Sequence, residues 1–175
     1  MHEPQPIITA NLSLEPLRPE TLAAILAGNK DAAEVAQGRQ LPDEYVGSLD
    51  PRFAEIQLKR MTDRPSQRGW CARVVVMNDD DLVIGDCGFH GPPEDVGRAE
   101  IGYKILEAYR GRGYATEAAR GLVDWAKSHG ARAVYASVSP DNAPSLAVVN
   151  KVGFRRVGAE LDEVDGKEIV FELKL

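Results

Sequence analysis

Two cysteines in 175 residues are too few for a disulfide scaffold. Cys71 and Cys87 have no CxxC spacing and no histidine at ligand spacing, and both sit in apolar, strand-like runs. Buried free thiols are therefore expected, and no metal site. Aromatic residues are scarce at 6% of the chain, and Trp70, Tyr103 and Trp125 read as core residues rather than a substrate cage. No apolar run reaches the roughly 20 residues of a membrane helix. The opening Met-His-Glu-Pro lacks the basic and apolar regions of a secretory leader, so the cytoplasm is the expected location and no membrane partner is expected. Positive charge is also short, with 21 Lys and Arg against 27 Asp and Glu, a net charge of −6. That balance argues against nucleic acid as a partner. It suits an amine-bearing substrate, and it serves solubility equally well. No Gly-x-x-x-x-Gly-Lys-Ser/Thr run occurs, which excludes a P-loop kinase.

What is present is an ordinary globular composition, 43% hydrophobic and 27% charged, in a chain of one-domain length. A single domain over residues 1–175 is expected. Residues 7–17 alternate as a strand, and 20–27 form a short helix closed by Gly28-Asn29. Residues 31–50 lack a period and read as loop with partial helix. Pro51 starts a helix over 52–61. Residues 70–77 and 82–89 form a hairpin, as do 154–161 and 168–174 around Asp165-Gly166. A strand over 100–106 precedes a long amphipathic helix ended by Gly130; a strand over 134–138 and a helix from Asn142 to Gly153 follow. The order is β-α-α-β-β-β-α-β-α-β-β, an α/β domain with a mixed, largely antiparallel sheet.

The segment Glu100-Ile-Gly-Tyr-Lys-Ile-Leu-Glu-Ala-Tyr-Arg-Gly-Arg-Gly-Tyr-Ala-Thr carries the strongest functional signal. Arg110, Gly111 and Gly113 stand where strand gives way to helix. A helix N-terminus offers unpaired N–H groups and partial positive charge, and glycines let a phosphate approach the backbone. A phosphorylated ligand, in particular a pyrophosphate, is expected at this turn.

Arg110-x-x-Gly113-x-Ala115 resembles the Arg/Gln-x-x-Gly-x-Gly/Ala signature of the GCN5-related N-acetyltransferases. Asn142-x-x-Ser145-x-x-Val148-x-x-Lys151-x-Gly153-Phe154 is similar to their second signature. Glu100-Ile-Gly-Tyr103 and Tyr114-Ala-Thr-Glu-Ala118 resemble the ribosomal-protein-alanine (Rim-type) branch. The resemblance implies a central sheet flanked by helices, with a splayed strand pair forming an acetyl-CoA cleft. It implies acetyl transfer by direct attack of a primary amine, on a protein N-terminus or a small molecule. Self-association as a homodimer is left open.

In that reading, the N–H groups of Gly111, Arg112, Gly113, Tyr114, Ala115 and Thr116 ring the CoA pyrophosphate. The strand bulges around Ile105 and Leu106, and the pantetheine arm pairs there like an added strand. An N–H near Ile105 holds the developing oxyanion, and Asn142 bonds the arm from the other side. Glu100 is the candidate base, with a pKa expected to be raised, and Glu107 is second. Similar enzymes carry a tyrosine four residues before the Gly of Gly-Phe; here that position is Val149, and Ser145 is the candidate to assist thiolate departure.

Plain structural roles stand beside these. Asn142 and Ser145 suit helix capping, Glu100 suits a strand edge, and His90 before Gly-Pro-Pro suits a loop. Lys151, Gly153 and Phe154 read as terminal charge, αL cap and core anchor. A dinucleotide-binding unit lacks its third glycine, where Thr116 stands, and its acidic residue. A non-catalytic acyl-CoA-binding or sensor domain on the same fold is the alternative that Val149 keeps open.

Overall fold

The computed structural model describes residues 3–93, 97–163 and 166–175. Eight strands form one sheet in the order β1-β2-β3-β4-β5-β6-β8-β7. In chain order these are β1 (Ile7–Ile8), β2 (Leu12–Pro16), β3 (Ala72–Met77), β4 (Leu82–Phe89), β5 (Arg98–Ile105), β6 (Ala133–Val138), β7 (Arg155–Asp162) and β8 (Gly166–Lys174). Every neighbouring pair is antiparallel except β5–β6. The helices are α1 (Pro19–Leu26), α2 (Lys30–Gln37), α3 (Asp43–Ser48), α4 (Pro51–Asp63), α5 (Tyr114–Ser128) and α6 (Ala143–Val152). No helix among the described residues is long and apolar enough to cross a membrane.

The alternation of β3 explains the layering. Val75 faces a core shared with α5 and α6, while Val74 and Val76 face a second core that includes Leu22, Ala33, Tyr45 and Ala54 from α1–α4. Both faces of the sheet centre are therefore covered, as the continuous β-branched run requires. Cys71 and Cys87 are buried and free, as expected.

Three segments depart from expectation. Residues 7–17 form two short paired strands rather than one. The Glu117 carboxylate in the first turn of α5 holds the turn between them, accepting from Thr9 Oγ1 (2.5 Å), Asn11 N (2.7 Å) and Asn11 Nδ2 (2.9 Å). Residues 31–50 hold two helices, α2 capped by Asn29 and by Gly38 in the left-handed region, and the six-residue α3. Trp70 belongs to a 3-10 turn over Pro65–Trp70 and packs edge-on against Trp125 and Phe89. The last hairpin forms as expected; Asp165 of its turn lies outside the described residues.

Candidate active site

Gly113 precedes α5 with φ +87°, after Gly111 at φ +74°. Both are in the left-handed region that favours glycine, and a Cβ at either would meet nothing within 4 Å. The turn is thus open on its outer side. Among the described residues, no side chain caps α5, and no backbone carbonyl takes the N–H groups of residues 111–116. These six N–H groups lie at the positive end of a 15-residue helix. A pyrophosphate fits this donor set. The Arg110 side chain instead turns back, its Nε donating to the Ile105 carbonyl at 2.9 Å.

β5 and β6 pair only from Arg98–Glu100 to Ala133–Tyr135, then diverge. Leu106 N–H donates to Ile84 O (2.8 Å) and His90 N–H to Glu100 O (3.0 Å), two steps of the β4–β5 ladder. Alternation along an antiparallel ladder turns the N–H and C=O groups of Tyr103 and Ile105 away from β4, into the gap that β6 leaves. Arg110 takes the Ile105 carbonyl, so the edge left for an extended ligand is the N–H and C=O of Tyr103 and the N–H of Ile105. Two expectations need correction. β5 pairs with β4 without a register shift, and the irregularity lies between Val75 and Val76 of β3 instead. Leu106 cannot line the gap through its N–H, which Ile84 occupies, and its side chain lies in the core under α1–α4.

Two cavities open beside β5. One of about 400 Å³ occupies the gap and is lined by Tyr103, Ser137, Asn142 and Ser145, among others. The other, about 630 Å³, lies between β4, β5 and the start of α4. Gly102 and Tyr103 line both, so this stretch of β5 is a wall common to the two spaces and forms their junction.

Around that junction stands a chain of polar side chains. Glu100 Oε2 lies 3.2 Å from His90 Nδ1 and accepts from the Tyr135 hydroxyl at 3.2 Å. His90 lines the larger cavity. Its Nε2 lies 3.0 Å from where a Cβ on Gly102 would stand, so the imidazole rests on the bare backbone at the junction. Burial pushes the Glu100 carboxyl up, but hydrogen bonds from His90 and Tyr135 and the charge of Arg98 outweigh it, and the net direction is down. The raised pKa expected for Glu100 is not found: its neighbours stabilise the carboxylate.

Asn142 caps α6, its Oδ1 accepting from Ser145 N at 3.1 Å, so only its amide nitrogen remains for a ligand. The Ser145 hydroxyl has no partner among the described residues, while its carbonyl accepts from Tyr103 Oη at 3.3 Å. Burial pushes the Tyr103 phenol up to about 12. Val149 is fully buried in the core under α5 and α6. Glu107 sits in a 3-10 turn, lines neither cavity, and is not brought to the junction. Gly153 is the left-handed cap of α6 and Phe154 is core, as expected.

Sequence reasoning missed His90 as a site residue, and it missed Asp86. The Asp86 side chain borders the larger cavity. Burial pushes it up to about 6 against the lowering influence of Lys104. A lone carboxylate inside the apolar run 82–89 was the available signal.

The family model described as an acetyltransferase (GNAT) domain matches residues 11–155. The chain belongs to the GNAT acetyltransferase family. Acetyl-CoA is the acetyl donor of that family. A curated relative, the uncharacterized N-acetyltransferase p20 of Bacillus licheniformis, is 36% identical over 85 residues, 48% of each chain. The chain thus spans about half the length of this relative. Among solved structures, the ribosomal-protein-S5-alanine acetyltransferase of Vibrio fischeri superposes with a TM-score of 0.66 at 15% identity, covering 97% of this chain and 96% of that one. The microcin C7 self-immunity acetyltransferase MccE, in complex with acetyl-CoA and AMP, gives 0.64 at 15% identity over 95% and 94%. These two likenesses are of the fold.

Proposed function

We propose that residues 1–175 act as one N-acetyltransferase domain that moves an acetyl group from acetyl-CoA to a primary amine held in the larger cavity. The observation that carries this reading is that the two cavities share Gly102 and Tyr103 of β5 as a common wall. The gap beside β5 offers strand-edge donors suited to the pantetheine arm, and the N-terminal turn of α5 separately offers donors suited to the pyrophosphate. The larger cavity is open to an acceptor.

In this reading the N–H groups of Gly111, Arg112, Gly113, Tyr114, Ala115 and Thr116 hold the pyrophosphate. The N–H of Ile105 and the amide nitrogen of Asn142 hold the pantetheine arm. The Tyr103 N–H, nearest the junction, is better placed than that of Ile105 to stabilise negative charge developing on the acyl oxygen. Acetyl-CoA, when bound, supplies an acyl group activated as a thioester. An alkylammonium is protonated at neutral pH, so the chain must remove a proton before attack. Glu100 serves through His90: the carboxylate orients and polarises the imidazole, whose Nε2 reaches the junction. The new N–C bond replaces the C–S bond, the bonding pair leaves with sulfur, and the amine proton passes to His90. The Ser145 hydroxyl is placed to donate to the departing sulfur.

Release of free CoA thiol, followed across a panel of amines and a peptide with a free N-terminus, tests the reading. Amine-dependent release supports it. Tight acetyl-CoA binding without release on any amine would favour the non-catalytic sensor, a reading that Val149 at the usual tyrosine position supports.

A further inference from the structure

The larger cavity contains a carboxylate with nothing to hold it. Asp86 makes no hydrogen bond or ion pair among the described residues. Lys104, its cross-strand partner in the β4–β5 register, donates its ammonium to the Ser48 carbonyl instead. The buried Tyr45 of α3, whose phenol its charge raises further, and the buried thiol of Cys87 interact with Asp86; Arg52 and Arg60 of α4, Asp50, His90 and Glu163 line the same cavity without a hydrogen bond or ion pair to it among the described residues. None of them is paired with Asp86. A half-buried carboxylate that opens into a cavity without an ion-pair partner favours a cation.

Its position defines what that cation is. Gly88 pairs with Gly102 and Asp86 with Lys104, so Asp86 is the diagonal neighbour of Gly102 across the ladder. Such neighbours lie about 7 Å apart. The reacting nitrogen belongs at Gly102, beside His90. It must be neutral when it attacks, and pairing it with a carboxylate would oppose loss of its proton. Asp86 is therefore unsuited to the reacting nitrogen and suited to a second one.

We propose that Asp86 binds a second cationic nitrogen of the acceptor, so that the substrate class is small diamines, acetylated at one nitrogen while the other is held at the cavity wall. This rests on the acetyl-transfer reading above. The cavity lining includes Leu49 and Phe53, apolar surface that suits a short methylene chain.

The probes are 1,4-diaminobutane, n-butylamine and 4-aminobutanoate, with CoA release as the readout and acetyl-CoA affinity measured separately by calorimetry. Wild-type kcat/KM should favour the diamine over butylamine by roughly tenfold or more, with the aminobutanoate poorest. The diamine's advantage should fade as pH falls through about 6, where Asp86 protonates. Asp86→Asn should raise KM for the diamine about tenfold and erase its advantage, with kcat and acetyl-CoA affinity nearly unchanged. Butylamine matching the diamine in wild type overturns the proposal without need of a variant, as does turnover of a peptide N-terminus alone. So does a diamine preference that survives in Asp86→Asn. Acetyl-CoA bound but no probe acetylated overturns the diamine proposal alone. Absence of both acetyl-CoA binding and turnover overturns the acetyl-transfer reading with it.

Discussion

Asp86 has a consequence for stability that is independent of catalysis. Its carboxyl titrates at about 6 in the folded chain against 3.8 as the unperturbed value, because burial penalises the charged form. A folded-state pKa above the unfolded one in an acid means that the folded state holds the proton more tightly. Stability then falls as pH rises from about 4, and the loss is complete once pH passes about 6. At roughly 1.36 kcal/mol for each pH unit between the two values, the full penalty is about 3 kcal/mol. That is an upper bound, because the side chain keeps contact with the cavity. For a chain of this length, with about 2.1 cal/mol/K of unfolding entropy per residue, 3 kcal/mol is about 8 °C in Tm. Asp86→Asn removes the charge and keeps the shape. Melting both proteins by circular dichroism from pH 4.5 to 8 should show the Asp86→Asn variant gaining on wild type through pH 5–6, by several degrees at pH 7. Comparing the two proteins at each pH cancels the titration of Glu100, Glu117 and Asp43, whose lowered values destabilise both on acidification. A Tm difference that does not change with pH, or a variant less stable than wild type at pH 8, would refute the reasoning that this carboxylate is buried without compensation.

Four further expectations concern the site. Gly102→Ala should displace the His90 ring, because its Cβ would stand 3.0 Å from Nε2. A shift of a few tenths of an ångström in the ring should lower kcat/KM by a few-fold, and the effect should shrink in a His90→Ala background; full additivity in that double-mutant cycle would separate the two residues. Glu100→Gln should lower kcat/KM by roughly 10²-fold near neutral pH, with partial recovery at high pH as free amine accumulates; an unchanged rate and pH profile would leave Glu100 a strand residue. Gly113→Val should weaken CoA binding measured by calorimetry, because the side chain enters the open face of the turn, at a backbone cost of about 1–2 kcal/mol; undiminished affinity in a folded variant would remove the pyrophosphate from this turn. Ser145→Ala should lower kcat while leaving acetyl-CoA affinity intact, and a kcat that does not fall would mean that sulfur leaves unaided.

The parts of this molecule legible in sequence are those encoded locally. The glycines at 111 and 113 and the caps Asn142 and Gly153 announce themselves within a few residues, because each meets a backbone requirement of its own turn. The hairpins and long helix α5 were equally visible from period and turn chemistry. Helices α2 and α3 were not, since about two turns or fewer leave little room for a period to show. The break at Thr9–Asn11 depends on Glu117, more than a hundred residues away in the chain, and no local pattern carries it. The junction was hidden for the same reason. His90 reads as a loop residue until the β4–β5 register sets it against Gly102 and Glu100, and Asp86 reads as an interruption of an apolar strand until α4 and β5 enclose a cavity around it. The raised pKa expected of Glu100 failed on similar grounds: burial was foreseen, but not the three partners that reverse it.

The hydrogen bond from Arg110 to the Ile105 carbonyl acts on the distance between the two ends of the cleft. It ties the start of the glycine turn before α5 to the last residue of β5, across a linker of four residues that includes a turn of 3-10 helix. The two anchor points are thereby braced against one another rather than joined by a slack loop. Under the acetyl-transfer proposal, a braced pair of anchors would behave as a gauge, favouring a donor whose phosphates and acyl group are spaced by one arm length over an arm longer or shorter by a few bonds. The span would then be set by an arginine whose side chain is turned to the backbone of β5.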